Sequence, residues 1–410
     1  MAGIGFELRK LLRKETLVGL LQAYTLAGII GSGPWVLSIV GILAIGLLSN
    51  ALAAPSHQVT QFQTSVTYLI ASSLILTGGL QLAFTRFVSD RLFEHQNEVV
   101  MPNLVGALTV VALLASGVAT MVVFVLFPDE SVLYRILMLS SFTLLCTIWI
   151  VTIFLSGMKR YKEIVALFAL GYGITVVLAL LLRRFGLEGL MTGFFLGHCV
   201  LLWGMLALTA YDFRPQRLIA FDFARPEMRY PSLLAIGALY NLGIWADKFM
   251  FWLFPDTSEP VVGLLRASII YDLPVFLAYL SIIPGMAVFM VRIETDFVEY
   301  YDKFYDAVRS GGSLEYIEDM RDEMLYSIRQ GLAEIGKIQT LAVLITFVAG
   351  PSLLELLGIS ALYLPLLHLQ VIGAGLQVVL LSVLNVFFYL DHRRIILVLC
   401  LEFLVLNVIL

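Results

Sequence analysis

Residues 240–284 read YNLGIWADKFMFWLFPDTSEPVVGLLRASIIYDLPVFLAYLSIIP. Two long apolar runs flank a short loop, Pro255 to Pro260, and each run is long enough to cross a bilayer. Together they carry four ionisable residues, Asp247, Lys248, Arg266 and Asp272. An unpaired ionisable side chain near the bilayer centre costs at least ~2.5–3.5 kcal/mol. Such residues need a partner or a use.

Helices ending near Phe254 and restarting near Gly263 would put Asp247 and Asp272 roughly 10–14 Å below the two helix ends, at about 1.5 Å rise per residue. The short loop makes the helices antiparallel neighbours, so Lys248–Asp272 and Asp247–Arg266 are candidate cross-pairs. Adjacent residues differ by about 100° around a helix, which predicts that Asp247 and Lys248 face apart. Asp247 shares a face with Tyr240, Gly243 and Phe251. Lys248 shares one with Asn241, Trp245 and Trp252, where an aromatic ring can hold its cation. Asp272 lies on one face with Phe276 and Tyr279. Three readings stay open: opposite charges clamping a bundle, charges lining a polar translocation path, and snorkelling of Lys248 and Arg266 to the interface. The path reading takes Asp247, Lys248, Arg266, Asp272, Tyr240 and Tyr279 as its residues.

Composition extends this reading to the whole chain. Of 410 residues, 60% are hydrophobic and 14% charged, with a mean hydropathy of +0.93; soluble domains are nearer a quarter charged. The fold class is an all-α polytopic membrane protein. A net charge of −4 implies no nucleic-acid partner. Cys146, Cys199 and Cys400 lie scattered in apolar runs and give neither a disulfide framework nor a metal spacing. No phosphate loop, HExxH or complete dinucleotide fingerprint occurs, and five scattered histidines support no catalytic constellation. His198 reads as a hydrogen-bonded histidine inside the bundle. The sequence points to no enzyme and no cofactor.

Apolar runs of spanning length fall at 23–48, 64–88, 104–127, 132–156, 164–182, 187–211, 233–254, 263–291, 335–349, 362–390 and 395–410, eleven in all, with a twelfth expected beyond the last residue. The expected organisation is an amphipathic lead (1–22), a six-helix lobe (23–211), a connection (212–232) and a second lobe (233–410) with a charged segment, 292–337. The lead carries Arg9, Lys10, Arg13 and Lys14 among leucines, as in a helix on the membrane surface. Ala51-Leu52-Ala53 resembles a signal cleavage site, but the apolar run before it is too long for one. With the N-terminus inside, 21 of the 26 Lys and Arg residues fall in inside segments; the exceptions are Arg135, Arg183, Arg184, Lys248 and Arg266. Pro34, Pro274, Pro284 and Pro365 predict bent or interrupted helices.

The segment 292–337 holds six basic and eleven acidic residues. Ser313 reads as a helix N-cap, and Leu314, Ile317, Leu325 and Ile328 recur at helical spacing. The segment is expected to be a charged helix running into the next span, either simply solvated or a docking surface through Asp319, Asp322 and Glu323.

Three stretches carry a family resemblance: MAGIGFELRKLL with QAYTLAGIIGSGPWVLSIVGI from Gln22, YNLGIWADKFMFW, and RASIIYDLPVFLAYLSIIPGMAVFMVRIETDF. They resemble PelG, the family of inner-membrane transport proteins of the bacterial Pel exopolysaccharide system. That family in turn resembles the multidrug/oligosaccharidyl-lipid/polysaccharide flippases. The resemblance implies a MATE-like fold of two six-helix lobes around a central cavity. It implies a partly deacetylated, cationic polymer rich in N-acetylgalactosamine as cargo. The implied partners are the membrane proteins PelD and PelE and the cytosolic glycosyltransferase PelF, with membrane lipids around the chain, in the inner membrane with a cytoplasmic N-terminus. The alternatives of other classes are an ion-coupled small-molecule antiporter, a lipid-linked oligosaccharide flippase, and a scaffold that recruits the glycosyltransferase without transporting.

Overall fold

The computed structural model describes residue 8 and residues 16–51, 56–213, 217–225, 230–356 and 360–409. The basic lead, with Arg9, Lys10, Arg13 and Lys14, lies outside the described residues. The helices are α1 (Leu17–Ala51), α2 (Ser56–Phe93), α3 (Asn97–Leu126), α4 (Val132–Gly157), α5 (Tyr161–Leu182), α6 (Gly186–Asp212) and α7 (Pro231–Leu253). A hairpin of β1 (Glu259–Val262) and β2 (Leu265–Ala267) follows. Then come α8 (Ile269–Leu280), α9 (Ile283–Val291), a π-helical turn (Arg292–Phe297), α10 (Val298–Ser310), α11 (Leu314–Leu356), α12 (Leu364–Tyr389) and α13 (Arg393–Ile409).

The architecture is all-α and polytopic. Among the described residues, eight helical stretches are long and apolar enough to cross a membrane, against the eleven runs expected. The difference has physical causes. The tight turn Arg183–Phe185 makes α5 and α6 one continuous stretch, Tyr161–Asp212. The 17 residues of α13 are short for a span. Asp247 and Lys248 lower the hydropathy of α7. Pro34 and Pro351 sit inside continuous helices, whereas Pro284 stands in the first turn of α9, after the break at Ser281-Ile282.

By contacts the chain forms two compact units. One comprises residues 1–36 and 270–392, the other 37–269 and 393–410. These boundaries differ from a division at 212–232 because two terminal segments pack away from their sequence neighbours and α7 with the hairpin packs on α2. In the first unit the start of α1 meets α9, with Gly28 against Ile283 and Ala287. In the second, α13 packs on α7, where Asn407 Nδ2 donates to the Gly243 carbonyl at 2.7 Å.

The second unit has a large apolar core. Phe62, Phe84, Phe87, Phe127, Tyr134, Phe154, Phe168 and Phe194 are all fully buried in it. There α2 and α7 touch backbone to backbone: a Cβ on Gly237 would lie 2.1 Å from the Gly78 carbonyl oxygen. Without side chains at this crossing the two helices approach closely, the usual device for packing in lipid. The connection 217–225 is tied to α3 rather than hanging free. Fully buried Asn103 accepts from Asp222 N at 2.7 Å and donates to the Asp222 carboxylate at 3.0 Å.

Candidate functional site

Three of the expected residues lie in the second unit on α7. Lys248 is buried, its side chain 7% exposed, and its ammonium group donates to both Asp247 oxygens at 3.1 Å. It also donates to the carbonyl of Ile244, one turn back, at 2.9 Å. The Trp245 ring centroid is 5.7 Å away, so the expected cation–π contact is present. The expectation that Asp247 and Lys248 face apart is corrected. The wheel angle describes Cβ directions, and four methylenes let the lysine ammonium reach back across its own turn. The result is a neutral pair within a single helix turn. Asp247 keeps 23% of its side chain exposed, so the pair has a buried cation and a partly exposed anion. Tyr240, two turns earlier, packs its ring at 6.0 Å from Phe403 of α13.

Arg266 is also in the second unit, but not on a helix. The chain after Phe254 does not restart as a helix near Gly263; it forms the β1–β2 hairpin, with Val262 paired to Leu265. Gly263 has φ +55°, and a glycine at the first of two turn positions is the requirement of a type II′ turn. Arg266 Nε donates to Ser258 Oγ at 2.8 Å and its Nη2 to the Ser258 carbonyl at 2.5 Å. The guanidinium therefore pins the loop, and the Asp247–Arg266 cross-pair is not formed. The hairpin is in turn held to α2, where Tyr68 donates to the Arg266 carbonyl at 3.0 Å and Gln61 to that of Val261 at 3.2 Å. Glu259-Pro-Val-Val-Gly263, bounded by Pro and Ser, carried a hairpin signal that the apolar run concealed.

Asp272 and Tyr279 lie in the first unit. Since α8 begins at Ile269, Asp272 sits in its first turn rather than nine residues below a helix end. A carboxylate there is favoured by the amide groups of the helix start. Tyr279 donates to Gln377 Oε1 of α12 at 2.9 Å and meets the Trp35 ring edge-on at 6.3 Å. Next to this tyrosine, the Ser281 carbonyl accepts from Gln339 Nε2 at 3.3 Å. Gln339 is buried and its Oε1 has no partner. The first unit thus holds a carboxylate, a tyrosine, a tryptophan and two glutamines on α1, α8, α11 and α12; the glutamines had no distinctive spacing in the sequence.

The charged helix forms as expected. Ser313 Oγ accepts from Tyr316 N at 3.3 Å, and α11 runs 43 residues from Leu314 into the apolar part without a break. Its buried face is Met324, Ser327, Gly331, Ile335 and Gln339. Leu314 and Leu325, expected on that face, are exposed because it is set one position away. Asp319, Asp322 and Glu323 are all exposed, and Arg321 pairs with Asp322 at 2.9 Å. At its inner end α11 is tied to the π-helical turn: Arg292 bonds Glu334 and Asp296, each at 2.6 Å. Among the described residues no cluster of His, Cys, Asp or Glu could hold a metal ion.

The fold matches solved transporters. One MATE transporter in complex with MaL6 aligns with a TM-score of 0.62 at 13% identity, over 92% of this chain and 85% of the other. A variant of the Vibrio cholerae MATE transporter VcmN aligns at 0.61 and 13% identity, over 99% and 94%. A MOP-superfamily transporter from Pyrococcus furiosus aligns at 0.57 and 14% identity, over 94% of each chain. At such identities the likeness establishes the fold alone. No curated protein matches the chain. The family model for PelG, described as an exopolysaccharide exporter (EPS-E), matches residues 1–410. The chain is thus a transporter rather than an enzyme, and it belongs to the PelG family of exopolysaccharide exporters.

Proposed function

We propose that this chain carries a cationic, partly deacetylated amino-sugar polymer across the bacterial inner membrane, with its N-terminus in the cytoplasm. Asp247 and Asp272, each in its own unit, attract the polymer's ammonium groups. Tyr240 and Tyr279 offer ring faces to the sugars. The observation that carries this reading is the Asp247–Lys248 pair. Its cation bonds the carboxylate and a backbone carbonyl inside the helix turn, while its anion keeps an exposed edge. A carboxylate already neutralised by a neighbour binds a passing ammonium weakly, and conduction needs weak, repeated binding. In this reading Lys248 tunes Asp247, and Arg266 shapes the loop without touching cargo.

Asp319, Asp322 and Glu323 form the docking face for the synthesis machinery, a cytosolic glycosyltransferase and membrane partners of the PelF, PelD and PelE kinds. Their exposure on a helix continuous with a span supports this. The test measures secreted polymer and membrane-resident protein together. Asp247→Asn and Asp272→Asn are each expected to reduce export with protein level near normal. Normal export from both variants refutes the path.

A further inference from the structure

The π-helical turn and α10 hold an arrangement that the path does not use. Phe297, Tyr301 and Tyr305 follow at i, i+4 and i+8, a stripe about 12 Å long on one helix face. Their rings form a ladder, with Phe297–Tyr301 centroids at 5.9 Å and Tyr301–Tyr305 at 4.6 Å. Tyr389, at the end of α12, closes on it edge-to-face, 5.4 Å from Phe297 and 5.5 Å from Tyr301. Its hydroxyl donates to Glu294 Oε2 at 3.2 Å. Phe297 is fully buried as the floor, while Tyr301, Tyr305, Tyr389 and Glu294 are half-buried. Glu294 is on the π-helical turn, which alters the helical register at that point; such turns recur at functional sites.

Packing alone would be served by leucine or phenylalanine. Three tyrosines with a carboxylate at one edge match the chemistry of a pyranose instead. The flat apolar face of the sugar lies on a ring, and its hydroxyl or amino groups bond the phenol oxygens and the carboxylate. Charge selects the occupant further: segment 292–337 holds eleven acidic residues against six basic ones. We infer that Glu294, Tyr301, Tyr305 and Tyr389, laid over Phe297, form a saccharide-binding platform that takes hexosaminyl units of the polymer outside the apolar part of the span. This inference rests on the proposed cargo and adds a second binding site to it. Built on the π-helical turn, α10 and the end of α12, the platform would receive sugar rings next to the helix that docks the synthesis machinery.

The experiment uses the full chain in lipid nanodiscs and two probes, an N-acetylgalactosamine tetramer and its fully de-N-acetylated counterpart, with binding measured by calorimetry. Tyr301→Ala and Tyr305→Ala are each expected to weaken both tetramers by up to about tenfold, the scale of one aromatic contact. Tyr301→Phe keeps the ring but loses its phenol oxygen, so it should weaken binding measurably, though less than Tyr301→Ala. Glu294→Gln should weaken the amine-bearing tetramer alone. Should Tyr301→Ala lower the melting temperature, the more peripheral Tyr305→Ala and the conservative Tyr301→Phe still decide the matter. Unchanged binding in both alanine variants, or no binding of either tetramer to wild type, overturns the platform. Export assays on Asp247→Asn and Asp272→Asn separate the two claims. Lost export there with unchanged alanine-variant binding fells only the platform; normal export with lost binding fells only the path.

Discussion

Lys248 and Asp247 show how a buried charge is made tolerable: the cation has two carboxylate oxygens, a backbone carbonyl and an aromatic face within one turn. Lys248→Met should therefore destabilise the protein, because Asp247 loses the ammonium group it bonds. A loss of about 1–3 kcal/mol is expected, since the Asp247 side chain is only partly buried. The double variant Asp247→Asn with Lys248→Met should regain most of that stability, measured as melting temperature in detergent, while export stays low. Recovery of export in the double variant would assign the pair a purely structural role. The sequence made these residues conspicuous through their cost in an apolar run. It did not reveal their pairing, because helical-wheel angles ignore the length of a lysine side chain. Arg266 was misplaced for a different reason: a six-residue loop and a short hairpin have the same apolar content as the start of a helix, and only Gly263, after Val261 and Val262, marks the turn. At Gly263, φ is +55° and an added Cβ would lie 2.6 Å from Phe127 Cδ1 and 2.7 Å from the Leu126 carbonyl oxygen. Gly263→Ala should cost about 1–3 kcal/mol through backbone strain alone, read as reduced membrane-resident protein.

Among the elements, the proposed function gives α7 and α11 different roles. The crossing of α2 with α7 depends on the absence of side chains, so Gly237→Ala should destabilise by about 1–3 kcal/mol through overpacking. Thermal unfolding of purified protein checks it; an unchanged midpoint would mean that the two helices separate easily. For α11, the exposed acidic face predicts a separable defect. Changing Asp319, Asp322 and Glu323 together to Lys should weaken co-purification of the glycosyltransferase or its membrane partners without removing the protein from the membrane. Unchanged co-purification and export would leave the face merely solvated. Helix positions were legible because long apolar runs have one solution in lipid, a helix with every backbone group paired. The Ser313 cap and the fusion of α11 with its span were legible for local reasons. The π-helical turn was not, since RIETDF differs from an ordinary helical sequence by nothing local. The break between α8 and α9 was half legible, through Pro284.

For the whole molecule, the fold class followed from composition, and the family was carried by its N-terminal and mid-chain stretches. The division into units was not readable, because long-range packing of α13 on α7 and of the start of α1 on α9 leaves no local mark. Orientation is a property of the entire chain: a cytoplasmic N-terminus would put 21 of the 26 basic residues on one side. A reporter fused after Lys337 should read cytoplasmic and one inserted within 255–260 periplasmic; the opposite pair of results would invert the account. In the proposed function the polymer passes through this chain. The most direct measurement of that passage is a photocrosslink in cells that are making polymer, with p-benzoylphenylalanine placed at Phe276, on the Asp272 face, or at exposed Leu113 of α3 as the lipid-facing control. Polymer-bearing protein, detected by a galactosamine-binding lectin, is expected from position 276 and none from 113. No adduct at 276, or equal adducts at both positions, would contradict the proposal.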